Sequence, residues 1–136
     1  MILTYEIKDD ILYGYFPDTL SDRDFHELPE EFDTIELKYS TLPNRLVSLC
    51  NVKSFNANFS AVLLLAEKRN KKVFSTAFKT AILVCNNYQL GFARMYQTFI
   101  ENPNMRIEIF LDESEALKWL RSGDTRLTNR SNRGTG

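Results

Sequence analysis

Between Arg45 and Arg69 the chain reads RLVSLCNVKSFNANFSAVLLLAEKR: an apolar strand, a polar turn and a helix that is apolar on nearly every side until Glu67. Such a helix cannot lie at the edge of a protein, so neighbouring elements must cover it. Pro43-Asn44 breaks the chain ahead of the strand, Arg45 to Asn51. The helix, Phe59 to Arg69, is expected to open near Asn58, whose side chain can accept from the first unpaired amides.

The other segments follow the same alternation. Leu3, Tyr5 and Ile7 alternate with polar residues, and Asp9-Asp10 reads as a tight turn into a second strand, Ile11 to Phe16, which makes a hairpin. Ser21 with Asp24 marks a helix start ahead of Phe25, Leu28, Phe32, Ile35 and Tyr39, spaced as one helical face. Pro29 interrupts that face and predicts a kink or two short helices. After a basic turn, Arg69 to Lys72, the run Thr80 to Cys85 fits a parallel strand covered on both faces. Asn86-Asn87 caps a third helix with Phe92, Met95, Tyr96, Phe99 and Ile100 on its buried face, and Asn102-Pro103-Asn104 stops it. Met105, Ile107, Ile109 and Leu111 form a last strand. Asp112 with Glu115 opens a last helix that turns Ala116, Trp119 and Leu120 inward and closes at Gly123. The predicted fold is α/β, with four or five strands in one mixed, mostly parallel sheet, an antiparallel hairpin at its start and about four helices. Residues 1–123 form the domain. Asp124 to Gly136, poor in apolar side chains, reads as a disordered tail.

At 136 residues and 43% hydrophobic, the chain suits one core. Its 17 basic and 18 acidic residues are mixed, and a net charge of −1 supplies no field to draw nucleic acid or anionic lipid. The N-terminus lacks a leader pattern, and the longest apolar run, Ala61 to Ala66, is too short to span a membrane. A cytoplasmic location follows as the expectation. Cys50 and Cys85 are too few and too far apart in sequence for a disulfide framework or a zinc site, and both are expected to be reduced and buried.

The segment Arg45 to Arg69 resembles the core of STAS domains, the fold of bacterial anti-sigma-factor antagonists. The stretch GFARMYQTFIENPNMRIEIFLDESEALKWL resembles the C-terminal half of a STAS-like bacterial group related to the sporulation anti-sigma-factor antagonist. The resemblance implies a non-enzymatic regulatory module that binds a protein partner or small ligand, without a cofactor. It also implies a phosphorylation switch in the turn before the long helix, where the family pattern is Asp-Ser-Ser-Gly. This chain has Asn56, Ala57, Asn58 and Phe59 there, so no hydroxyl stands at the acceptor position.

Helix-start amides carry partial positive charge, which makes Ser54, Asn58 and Ser60 candidate contacts for a partner or ligand. Asn86, Asn87 and Tyr88 form a second such turn, and both belong to the carboxyl-end rim of the sheet, where open α/β folds bind ligands. Capping alone also accounts for these asparagines and serines. Phe59 is expected to fill a core gap rather than to stand out. The rival reading is a small redox or hydrolytic enzyme using Cys50 and Cys85, or His26, at the same rim. His26, the sole histidine, reads more simply as a boundary residue, and no metal-binding or phosphate-binding motif is present.

Overall fold

The computed structural model describes residues 2–123, so the tail expected from Asp124 onward lies outside them. β1 (Thr4–Lys8) and β2 (Ile11–Tyr15) pair antiparallel, with Thr4 opposite Tyr15 and Lys8 opposite Ile11. Asp9 and Asp10 both adopt left-handed backbone angles, φ 53° and 64°, as a two-residue turn needs if its twist is to match the strands. Glu31 ties the hairpin to the body: its carboxylate accepts from the Ile2 and Leu3 amides at 2.8–3.0 Å.

A short strand, β3 (Thr19–Ser21), leads into α1 (Asp22–Glu36). Ser21 Oγ accepts from the Asp24 amide and the Asp24 carboxylate accepts from the Ser21 amide, the reciprocal cap that the spacing predicts. The two short helices expected as one outcome of Pro29 are not found. Pro29 sits buried inside one uninterrupted helix, which forgoes the bond that the Phe25 carbonyl would have accepted. The helix also stops at Glu36, short of Tyr39.

There follow β4 (Asn44–Ser48), β5 (Ser54–Asn56), α2 (Phe59–Lys71), β6 (Phe78–Leu83), α3 (Asn87–Phe99), β7 (Met105–Phe110) and α4 (Glu113–Arg121). The main sheet has the order β1-β2-β4-β6-β7, antiparallel at its first pair and parallel at the others. β3 and β5 make a separate two-stranded parallel piece, with Leu20 opposite Phe55. Neither is legible as a strand in the sequence. Both central strands also end earlier than expected, at Ser48 and Leu83. Beyond them only single bonds persist, from the Leu49 amide to the Leu83 carbonyl and from the Val84 amide to the Phe110 carbonyl.

The period-two alternation of strands divides the interior. Leu12, Val47 and Ile82 face α1, α2 and α3 in the larger core. Ile11, Tyr13, Leu46 and Ala81 face α4, where Ala116 and Leu120 cover them. In α2, Ala61, Val62, Leu65, Ala66 and Arg69 are buried, whereas Leu63 and Leu64 are half-covered. The helix is therefore buried on one broad face, not on all sides. α4 starts with Asp112 accepting from the Ser114 amide, and no reciprocal bond from Glu115 completes a box.

The last turn of α4 is held by a buried lysine. Lys79, 1% exposed, donates from Nζ to the Trp119 carbonyl at 3.0 Å, the Ser122 carbonyl at 3.3 Å and Ser122 Oγ at 2.7 Å. A cation suits the carbonyl end of a helix. Replacing Lys79 with methionine keeps the volume and removes the donors. The expected loss is about 1–3 kcal/mol in urea denaturation, with faster amide exchange confined to α4.

Candidate functional site

All four helices begin on the carboxyl-end rim, α4 on the opposite face of the sheet from the other three, and the small β3–β5 sheet forms its lip. The Asp18 carbonyl accepts from the Lys53 and Ser54 amides at 2.7 and 3.1 Å, which holds β5 beside β3. The start of α2 thereby reaches the start of α1, and the Asn58 amide donates to Asp22 Oδ1 at 3.1 Å. Asn58 Oδ1 accepts from the Ala61 amide at 3.2 Å, and Asn86 Oδ1 accepts from the Gln89 amide at 2.9 Å. Both asparagines are thus helix caps, as their positions predict. The amides that would attract an anion are partly taken by the chain's own side chains.

Gln89 joins the two turns. It is 1% exposed; its amide nitrogen donates to the Val52 carbonyl at 2.9 Å and its Oε1 accepts from the Cys85 amide at 2.7 Å. Around it Phe55 stacks on Phe92 with ring centroids 4.0 Å apart, and Tyr88 stands edge-on to both rings. Asn56, Asn58, Ser60, Asn86 and Asn87 are exposed beside this aromatic group, and Ser54 and Ala57 are half-buried. Ser54 Oγ donates to Asn56 Oδ1 at 3.2 Å.

Two expectations fail here. Cys50 and Cys85 are joined by a disulfide with their Cα atoms 5.2 Å apart, and Cys85 is exposed. They follow adjacent strands, β4 and β6, and leave the sheet at the same level, the shared rim expected of them, but as a bonded pair rather than as two reduced thiols. Phe59 does not fill the core. It is 56% exposed, with its ring edge-on to Phe99 at 5.3 Å, in an opening turn of α2 where Asn58 and Ser60 also face solvent. His26 is exposed on α1, and no hydrogen bond or ion pair of its side chain is present among the described residues.

Below the rim lies a charged cluster that sequence reasoning missed. Glu36, at the end of α1, has a side chain only 4% exposed. It accepts from Arg45 Nη1 at 2.7 Å, from Arg69 Nη1 and Nη2 at 3.0 and 2.7 Å, and from Lys72 Nζ at 3.1 Å. Lys72 also pairs with Asp33. Burial alone would push the Glu36 carboxyl up, but hydrogen bonds from Arg69 and Arg45 and their charges outweigh it and hold the group at about 2. Burial lowers Arg45, opposed by Glu36; burial acts downward on Arg69 too, but the bonds and charge of Glu36, with Tyr96 and Asp33, carry it upward. Both guanidinium groups remain charged. The signal in the sequence was Glu36 standing four residues after Phe32, on the apolar stripe of α1.

Arg45 lies over the Phe78 ring at 4.0 Å, and Arg69 over Phe32 and Phe74 at 4.9 and 5.1 Å. Arg45 Nε, Arg45 Nη2 and Arg69 Nε are buried without a protein acceptor. Both arginines line a cavity of about 80 Å³ whose other walls are almost entirely apolar, among them Phe25, Val62, Ile82 and Phe92. Tyr96 also lines it, and burial pushes its hydroxyl upward against the pull of Arg69. Among the described residues no group of His, Cys, Asp or Glu is arranged to hold a metal ion, and no helix is long and apolar enough to cross a membrane.

A five-stranded sheet with this order, an antiparallel first pair and helices on both faces defines the SpoIIAA-like fold, the plan implied by the STAS resemblance. The crystal structure of an uncharacterized protein from the DUF3478 family with a SpoIIAA-like fold, from Shewanella loihica PV-4, superposes on this chain with a TM-score of 0.56. The two are 18% identical, and the match covers 87% of this chain and 91% of that one. No protein-family model matches the sequence, and no curated protein is significantly similar to it.

Proposed function

We propose that this protein is a non-enzymatic regulatory module of STAS type that binds a protein partner through its carboxyl-end rim in the cytoplasm. The observation that carries the reading is the pair of aromatic rings left in solvent at the two strand-to-helix junctions. Phe59 and Tyr88 are each 56% exposed and stand among short polar side chains, and large rings of this kind anchor protein interfaces. The caps at Asn58 and Asn86 favour a protein surface over a free anion as the occupant, since they use amides that an anion would need. Ala57 and Asn58 have no hydroxyl, so the family's phosphate switch is missing at these two positions, and control of this module is by partner abundance, by ligand occupancy, or absent.

Tyr88→Ala tests the assignment. The OH of Tyr88 reaches the Phe55 carbonyl only at 3.4 Å, so its removal should destabilise the fold by about 1 kcal/mol through lost ring contacts. Loss of a partner should be larger, on the order of tenfold or more in affinity. The measurement is quantitative co-purification from the source cell with wild type, Tyr88→Ala and His26→Ala. A partner kept by wild type and His26→Ala but lost by Tyr88→Ala is the expected result. A partner retained equally by all three would place the contact surface elsewhere.

A further inference from the structure

The Cys50–Cys85 bridge stands on the rim, and the contact proposed for Phe59 and Tyr88 does not use it. Its two halves are unequal. Cys85 is exposed and leads through the exposed cap Asn86 into α3, whereas Cys50 is half-buried beside buried Leu49. A thiolate attacks a disulfide in line with the S–S bond, from the side away from the departing sulfur, so open space behind one sulfur decides where exchange begins. That space is offered at Cys85.

The frame around the bridge does not depend on it. Gln89 accepts from the Cys85 amide at 2.7 Å and donates to the Val52 carbonyl at 2.9 Å. Below them the Leu49 amide donates to the Leu83 carbonyl at 2.9 Å. Both loops therefore stay side by side when the sulfurs part, and exchange proceeds on the folded protein.

We propose that the bridge is an exchange site for low-molecular-weight thiols, with Cys85 the sulfur that is attacked and that carries the mixed disulfide. The incoming thiolate forms a bond to Cys85 Sγ. The bond between the two Sγ atoms breaks, and its electron pair leaves with Cys50 Sγ, which takes a proton from water. Two fates follow. Cys50, held close by, returns to Cys85 and expels the thiol, or a second thiol attacks the added sulfur, carries it off as the oxidised dimer and leaves both cysteines reduced. While it lasts, the adduct stands on the rim ahead of Tyr88, a removable group on that surface. The site does not rest on a partner binding there.

The full chain with its bridge closed, incubated with glutathione at mildly alkaline pH and trapped with N-ethylmaleimide, tests the proposal by peptide mass spectrometry. Glutathione on Cys85 and maleimide on Cys50, in protein whose circular dichroism is unchanged, is the expected result. Where exchange runs on to full reduction before trapping, single variants decide. Cys50→Ser, which presents Cys85 alone, should take glutathione from its oxidised dimer roughly tenfold or more faster than Cys85→Ser, as an exposed thiol does beside a half-covered one. Glutathione on Cys50 with maleimide on Cys85 would mean that departure of a thiolate at the start of α3, not access, directs the exchange. A bridge that stays closed unless urea is added would mean a purely structural disulfide, and equal uptake by the two variants would mean that exposure makes no distinction. Each of these three results overturns the proposal.

Discussion

Glu36→Ala is expected to lower stability by about 3–5 kcal/mol, a large part of the ~5–15 kcal/mol that holds a domain of this kind together. The loss is not the strength of one ion pair. It arises because Arg45 and Arg69, each with a side chain only 3% exposed, keep their charges and lose their shared acceptor. Removing all three together, as Glu36→Ala with Arg45→Met and Arg69→Met, should recover most of the loss. The carboxyl of Glu36 is held at about 2 against an ordinary 4.5, so its ionised form favours the fold. That contribution, about 3 kcal/mol, is complete above the ordinary value and drains away as pH falls from there toward 2. Urea midpoints measured across that window should fall in wild type and stay flatter in the triple variant. A cost below 1 kcal/mol for Glu36→Ala would mean that water reaches the two guanidinium groups.

Opening the Cys50–Cys85 bridge is the second large effect. Closing a loop with a sequence separation of 35 restricts the unfolded chain by about 4 kcal/mol. For a chain of this length, that is a fall of roughly 10–15 °C in melting temperature on reduction, or in the variant with both cysteines changed to serine. Thiol reagents should leave the untreated protein unmodified and label both residues after dithiothreitol. Equal melting temperatures with and without reductant would deny the bridge any part in stability. In a reducing cytoplasm the bridge would be opened, and the protein would work there without this contribution.

Local patterns announced most of the fold, since helix caps and strand alternation depend on near neighbours. Ser21 with Asp24, Asn58 and Asn86 each open a helix where their spacing predicts. What escaped was set by contacts between distant segments. β3 and β5 exist because Asp18 meets Lys53 and Ser54, and three-residue strands carry no periodicity to read. Arg69 looked like the first residue of a basic turn; only α1 arriving beside α2 turns it into a buried partner of Glu36. The two candidate turns lie at the ends of β5 and β6, but whether the Phe59 ring is covered is set by what packs against the start of α2, which no local pattern records. Charged side chains are usually solvated, so a glutamate four residues after Phe32 raises no expectation of burial by itself.

The bridge between β4 and β6 has a further meaning for the integrity of the chain. The turn after α2, with Val73 in solvent, divides the sheet into β1, β2 and β4 before it and β6 and β7 after it. A protease that cuts there severs the backbone inside the span from Cys50 to Cys85. The two pieces remain one covalent molecule, and neither the seam between β4 and β6 nor the rim above it can drift apart until a reductant arrives. Nicking and separation are therefore distinct events, and only the second requires a change of redox conditions.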